Sequence, residues 1–181
     1  MTLLKRRFLL LTGLLGLLLI GGGLAIFTHQ PSTGTPTSST SKPTPKRQTP
    51  KLTVHELAHN PELKYTSIIY FALHQPKLQR WQELSDLEAG WQVERYPHGN
   101  DWRYLVWPDK HITDAEKNLE PNWFRLTAHQ GVAYDSMIVH SFRKDQTYST
   151  TLPKIVTLIN ERHAAKQVRH LSHNLTVKSH K

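Results

Sequence analysis

Cysteine is absent from the 181 residues. That excludes disulfides, thiol catalysis, cysteine–zinc clusters and a lipidated N-terminal cysteine. Acidic residues are scarce and unevenly placed: 14 Asp and Glu stand against 23 Lys and Arg, and residues 1–51 contain no acid at all. The formal net charge of +9 is accordingly concentrated at the front, with +3 in residues 1–27, +4 in residues 28–51 and only +2 in the remaining 130. A nearly neutral folded part lacks the broad basic surface of a nucleic-acid binder, so no nucleic-acid partner is expected. A glycine-rich phosphate loop after a strand-like run is also missing.

A long apolar run occurs once. Lys5-Arg6-Arg7 precede an uncharged stretch of 20 residues from Phe8 to Phe27. At about 1.5 Å per residue such a helix spans roughly 30 Å, the hydrocarbon thickness of a bilayer. Positive charge on its leading flank holds that end in the cytoplasm and sends the rest of the chain across. The alternative is a cleaved signal peptide, with Gly23 and Ala25 as the small residues before the cut. The length of the run, and its continuation through Ile26-Phe27, favour an uncleaved signal anchor over residues 1–27. The expected localisation is a single-pass protein of the cell membrane with its C-terminal part outside.

Residues 28–51 are dominated by Ser, Thr and Pro. Without an apolar face to bury, they cannot offset their ordering entropy and are expected to be a disordered linker. About 25 residues at ~3.3 Å reach roughly 80 Å fully extended, and about 25–30 Å as a coil.

Residues 52–175 read as one domain, with 176–181 as a basic tail. Thr53 and Glu56 stand in capping-box spacing, flanked by Leu52 and Leu57 as a hydrophobic staple. Asn60 is disfavoured as helical before Pro61 but can cap a new helix with the proline at its first position. Two helical pieces follow, 53–59 and 61–74. A further helix is predicted from Pro76 to Ala89, through Leu78, Trp81 and Leu84, stopping at Gly90.

The period then changes to two. Trp91–Tyr96 and Trp102–Trp107 alternate around a turn at Pro97-His98-Gly99-Asn100, an aromatic-rich hairpin. Trp123–His129 and Val132–Phe142 form a second hairpin pattern about Gln130-Gly131, and a short helix is expected after Thr113. A final helix runs from Leu152 to His170. This order predicts an α+β domain whose small antiparallel sheet of about four strands packs with N-terminal and C-terminal helices.

The stretch Tyr134-Asp-Ser-Met-Ile-Val-His140, the Thr-Leu-Pro-Lys-Ile-Val run and the segment His-Leu-Ser-His-Asn-Leu175 resemble an uncharacterised family. Its members are small exported or membrane-anchored domain proteins of lactobacilli and related lactic acid bacteria. The resemblance covers residues 52–175. It implies an exported α+β domain in a Gram-positive cell envelope and supplies no catalytic residues.

One motif points to chemistry. His55-Glu56-Leu57-Ala58-His59 matches H-E-x-x-H, in which two histidines one helical turn apart bind zinc and the glutamate activates a metal-bound water. Glu83 and Asp86 are the carboxylates downstream. Against a zinc site, a chain with 12 histidines meets the pattern by chance about 3% of the time. Glu56 also has a structural task in the capping box, and Asn60-Pro61 interrupts the helix directly after His59. The motif therefore reads first as a helix start. The alternative is a membrane-tethered zinc metallopeptidase with His55 and His59 as ligands and Glu56 as the catalytic base.

Other features have a binding reading beside a structural one. Eleven of the 12 histidines lie in residues 52–181, so acid can turn a near-neutral domain cationic; solvated imidazoles are the plain alternative. Segment 154–181 carries Lys154, Arg162, Lys166, Arg169, Lys178 and Lys181 against Glu161, a net +5, which suits an acidic surface or simply a solvated helix face. Trp81, Trp91, Trp102, Trp107 and Trp123 can line a groove, or fill a core. Asp135, Ser136 and His140 crowd one strand-like segment whose alternate residues face apart, which argues against a triad.

The sequence thus predicts a non-catalytic extracytoplasmic module without a cofactor. Its N-terminal helix meets the membrane, and its partner is an anionic envelope polymer or a surface protein.

Overall fold

The computed structural model describes residues 49–118, 121–136 and 147–181. The apolar run at 8–27, the linker up to residue 48 and His140 lie outside them. Among the described residues no helix is long and apolar enough to cross a membrane. Pro45–Lys181 make one compact unit with its own continuous core.

The chain enters through α1 (Val54–His59) and α2 (Pro61–Leu73). Thr53 Oγ1 accepts the backbone N–H of Glu56 at 3.1 Å, and Asn60 Oδ1 that of Leu63 at 2.9 Å. Each side-chain oxygen satisfies one of the amides that a helix start leaves unpaired. Leu52 and Leu57 are buried as a staple requires. Buried from Leu63 through Ala72 apart from Lys64, α2 has almost no polar face, the mark of a helix enclosed on several sides.

The predicted helix at 76–89 is replaced by a three-ten turn over Gln79–Leu84. Leu78, Trp81 and Leu84 recur at intervals of three, the period of the tighter helix, and all three are buried. Gly90 then takes φ +72, and a Cβ there would stand 2.2 Å from the Asn174 carbonyl oxygen. That close approach fixes glycine at the junction with the sheet.

The sheet corrects the expectation of about four antiparallel strands. It has six, β1 (Trp91–His98), β2 (Asp101–Trp107), β3 (Asn122–Thr127), β4 (Gly131–Asp135), β5 (Tyr148–Thr151) and β6 (Leu175–Ser179), in the order β5-β4-β3-β2-β1-β6. Five run as an antiparallel meander. The sixth, drawn from the segment read as a basic tail, lies parallel to β1 with Trp91 opposite Leu175. The sheet is therefore mixed. The strand expected over 132–142 is described only as far as Asp135 in β4.

The final helix is also divided, into α3 (Leu152–Glu161) and α4 (Ala165–Leu171). His163 adopts φ 54, its N–H donates to the Asn160 carbonyl at 3.0 Å, and that of Ala164 donates to Ile159 at 2.9 Å. These two bonds are the Schellman ending, with histidine where glycine is usual.

Helices cover one face of the sheet. Trp91, Val93, Tyr104, Val106, Phe124, Val132 and Tyr134 meet Ile68, Ile69 and Phe71 of α2, with Ile155, Ile159 and Val168 completing the core. Tyr104 stacks on Phe124 at 4.8 Å, and Trp81 meets Tyr134 edge-on at 5.2 Å. Two buried polar groups are tied down, Tyr134 Oη donating to the Ile68 carbonyl at 2.9 Å and Trp91 Nε1 to that of Leu84 at 2.8 Å, while Trp81 Nε1 and Thr66 Oγ1 have no hydrogen-bond partner among the described residues. Since side chains alternate along a strand, the other face carries Gln92, Glu94, Tyr96, Arg103, Leu105, Trp107, Trp123 and Arg125. No described α-helix covers that face; a three-ten turn at Asp114–Glu116 leads into Lys117, which pairs with Glu94 and approaches the Trp107 ring there.

Candidate functional site

The H-E-x-x-H helix start has its own partners. Arg169 Nε and Nη2 donate to the two oxygens of Glu56 at 2.7 and 2.8 Å. This bidentate pair, opposed by partial burial and aided by the Arg169 charge and the Thr53 backbone, holds the Glu56 carboxyl below its ordinary value. A general base needs an oxygen directed at water, and both of these face a guanidinium. His55 and His59 are exposed, with ring centroids 4.3 Å apart, and His59 Nδ1 donates to the His55 carbonyl at 2.9 Å. Glu83 pairs with Arg80 at 3.4 Å. Asp86 Oδ1 accepts the amides of Glu88 and Ala89. Among the described residues no group of three metal-ligating side chains comes together. Ser136, buried beside its strand, donates to Asn122 Oδ1 at 2.7 Å.

The tryptophans separate by burial. Trp81 and Trp91 stand in the core and Trp107 is buried on the opposite face of the sheet. Trp102 and Trp123 are half-buried, and each lies against arginine. The Arg95 guanidinium sits 4.3 Å over the Trp102 ring, while Arg103 and Arg125 approach Trp123 at 4.3 and 5.6 Å.

The Trp123 group stands on the face that no described α-helix covers. Arg103 of β2 pairs directly with Arg125 of β3, and Leu105 with Trp123. Like charges in directly opposed positions destabilise a strand pair. The indole offsets part of this, because each cation is drawn to the ring face by about 0.5–1 kcal/mol where exposed and more where desolvated. Arg125 Nε is buried without a hydrogen-bond partner. A guanidinium offers a planar fork of N–H donors that matches carboxylate and phosphate oxygens.

Beside it lies a closed polar cluster. Glu94, with its side chain 2% exposed, accepts from Lys117 Nζ at 2.6 Å. It also takes the Gln92 amide at 2.7 Å and the Tyr96 hydroxyl at 2.8 Å. Burial acts to raise its pKa, but the hydrogen bonds from Lys117 and Tyr96 and the Lys117 charge outweigh it and leave the carboxyl below its ordinary value. Burial and Glu94 push the Tyr96 hydroxyl up to about 12, so it stays a donor. His180, just past β6, stacks on Tyr96 at 4.0 Å. With its acceptors filled from within the chain, this cluster ties the 108–118 segment to the Glu94 end of the sheet.

Sequence reading singled out Trp102 and Trp123 but not the arginines beside them. The signal was present in the alternation, which puts Arg103 and Leu105 on one face of one strand and Trp123 and Arg125 on the same face of the next. No family model, no curated protein and no solved structure matches the chain.

Proposed function

We propose that the domain is a non-catalytic binding module of the cell envelope, held to the membrane by residues 1–27 through the linker at 28–51. Its ligand is an anionic envelope polymer, taken by Arg103 and Arg125, which oppose each other beside Trp123. The observation that carries this reading is the direct opposition of the two arginines across neighbouring strands against one indole. Two cations opposed in this way favour an anion bound beside them, and its binding would stabilise the fold. The family resemblance at residues 52–175 agrees with an exported domain of this kind.

The test uses residues 45–181 and the phosphodiester polymer poly(glycerol phosphate), with dextran as the uncharged control. At pH 7 and moderate salt, calorimetric titration is expected to show binding of the polyanion but not of dextran, weakening as salt rises. The Arg103→Gln/Arg125→Gln variant, checked for folding by circular dichroism, is expected to lose at least tenfold in affinity. Equal affinity in the folded variant would overturn the assignment.

A further inference from the structure

β6 ends the sheet on one side and leaves an open edge. It is the last strand in the order β5-β4-β3-β2-β1-β6 and pairs with β1 alone. Just past it, the His180 N–H donates to the Arg95 carbonyl at 3.0 Å. Along a strand, alternate residues turn their N–H and C=O toward opposite neighbours. Thr176 and Lys178 therefore face β1, as His180 does, while Leu175, Val177 and Ser179 turn theirs outward, where no further strand lies. Such a row is a template for another strand.

The edge matches itself. A second copy laid antiparallel about a two-fold axis at Val177 sets Val177 opposite Val177, Leu175 opposite Ser179 and Thr176 opposite Lys178. Outward-facing residues then meet their like, each such pair exchanging both N–H···O bonds. The side chains agree as well. Leu175 and Val177 already pack against the core on the helical side, and Thr176 and Lys178 share the other face with Gln92 and Glu94, their partners in β1.

Charge selects this register. Lysine is a common guard on an edge strand, and a register centred on Lys178 would set two lysines in direct opposition. One centred on Thr176 would place Ser179 opposite His173, outside the strand, in the three-ten turn before β6. Centred on Val177, each Lys178 meets a threonine, and the two lysines stand diagonally, about 7–8 Å apart. The Lys178 charge also acts on the Asp114 carboxylate of its own chain. His180 and Lys181 lie past the paired residues, with His180 Nε2 3.5 Å from Glu94.

We propose that β6 is a self-association edge, joining two copies of the chain into one continuous sheet through antiparallel β6–β6 pairing centred on Val177. The pairing stands independently of the polymer reading. Its two-fold axis is perpendicular to the sheet, so Arg103 and Arg125 of both copies lie on the same side. Pairing one five-residue strand buries less than the roughly 1,200–2,000 Å² of a standard interface. Association is therefore weak between free domains and is strengthened where both chains are tethered to one surface.

Because the chain has no cysteine, introduced cysteines report the register. Residues 45–181 are prepared as Thr176→Cys and as Lys178→Cys, checked for folding by circular dichroism, and oxidised with diamide singly and as an equimolar mixture. The mixture is expected to form disulfide dimers at least tenfold faster than either variant alone. Positions 176 and 178 oppose each other at about 4.5 Å between Cα atoms, whereas identical positions are diagonal at about 7–8 Å, beyond a disulfide's reach. Adding Ser179→Pro to both chains is expected to lower the mixture to the single-variant rates. Ser179 is exposed and its N–H points outward, so proline there keeps every bond to β1. Equal rates in the mixture and the single variants, or no dimer at all, would overturn the pairing. So would a mixture rate undiminished in folded Ser179→Pro chains. Neither result touches the arginine site, which titration with poly(glycerol phosphate) tests on its own.

Discussion

Asn160 of α3 brackets the backbone of Leu52. Its Oδ1 accepts the Leu52 N–H at 2.8 Å and its Nδ2 donates to the Leu52 carbonyl at 2.9 Å. One carboxamide thus plays the part of a neighbouring strand at the point where the chain enters the domain. Arg169 extends the attachment by donating to the carbonyls of Pro50 and Lys51 at 2.9 and 3.3 Å. Asn160→Ala removes both bonds and is expected to cost about 1–3 kcal/mol, read as a lower urea midpoint with an unchanged slope. Asn160→Asp keeps the acceptor but sets a carboxylate against a carbonyl, so it is expected to be no milder.

The Glu56–Arg169 pair gives a pH signature. The folded-state pKa of Glu56 is depressed, so its contribution is complete above the unfolded value of about 4.3 and is lost as pH falls through the folded value. The side chains are 34% and 28% exposed, and solvent screening limits the pair to about 0.5–1 kcal/mol. Glu56→Gln is expected to remove that amount at pH 7 and progressively less as pH falls through the folded value, by urea unfolding at each pH. The same domain dialysed against micromolar zinc is expected to hold no more metal than a His55→Ala/His59→Ala control. One zinc per chain, lost in the control, would restore the peptidase reading.

Glu94 presents the buried counterpart. Its depressed pKa places the stabilisation above the unfolded value of about 4.3, with loss as pH drops through the folded one. Lys117 is 10% exposed and also pairs with the exposed Asp114 at 2.6 Å, so deleting Lys117 strips the buried Glu94 of its closest cation, whereas deleting Glu94 leaves Lys117 a partner. Lys117→Met is expected to cost about 3 kcal/mol, and Glu94→Gln/Lys117→Met less than the sum of the single changes. Denaturation of the three variants at pH 7 decides it; strict additivity would contradict a direct coupling.

His163 sits in the left-handed region at φ 54 with both Schellman bonds made. His163→Gly is expected to stabilise the domain by about 0.5–1 kcal/mol, since glycine occupies that conformation without steric cost. A higher melting temperature is the readout, and a fall in it would show that the imidazole makes a contact worth more than the relief.

Legibility in the sequence followed the range of the interactions. α1, α2 and the first hairpin announced themselves through neighbours a few positions apart: Thr53 and Glu56, Asn60 and Pro61, and the turn at 97–100. The capping box after Thr113 was equally local, and Glu116 closes it at 2.8 Å on the Thr113 amide. The three-ten turn was misread because Leu78, Trp81 and Leu84 satisfy both helical periods, and only Pro76 hinted at a break. β5 is too short, at Tyr148–Thr151, to show an alternation before α3 begins. The division of α3 from α4 was hidden because His163 stands where glycine would have marked it. β6 offered only Leu175 and Val177 among polar residues, and its pairing with β1 depends on a distant segment. The same limit applied to the site: Glu56 was visible, but its partner Arg169 was not, and Arg103 faces Arg125 only once strand register is known.

The placement of β6 beside β1 also sets an order of events. β1 is the first strand to leave the ribosome and β6 the sixth, yet they are neighbours, so one side of β1 has no partner until Leu175–Ser179 has been made. The meander β1–β4 can zip up from short turns, while the parallel pair must close a very long loop first. Until then the bare side of β1, with Trp91 and Val93 in its row, is the surface that most needs a chaperone.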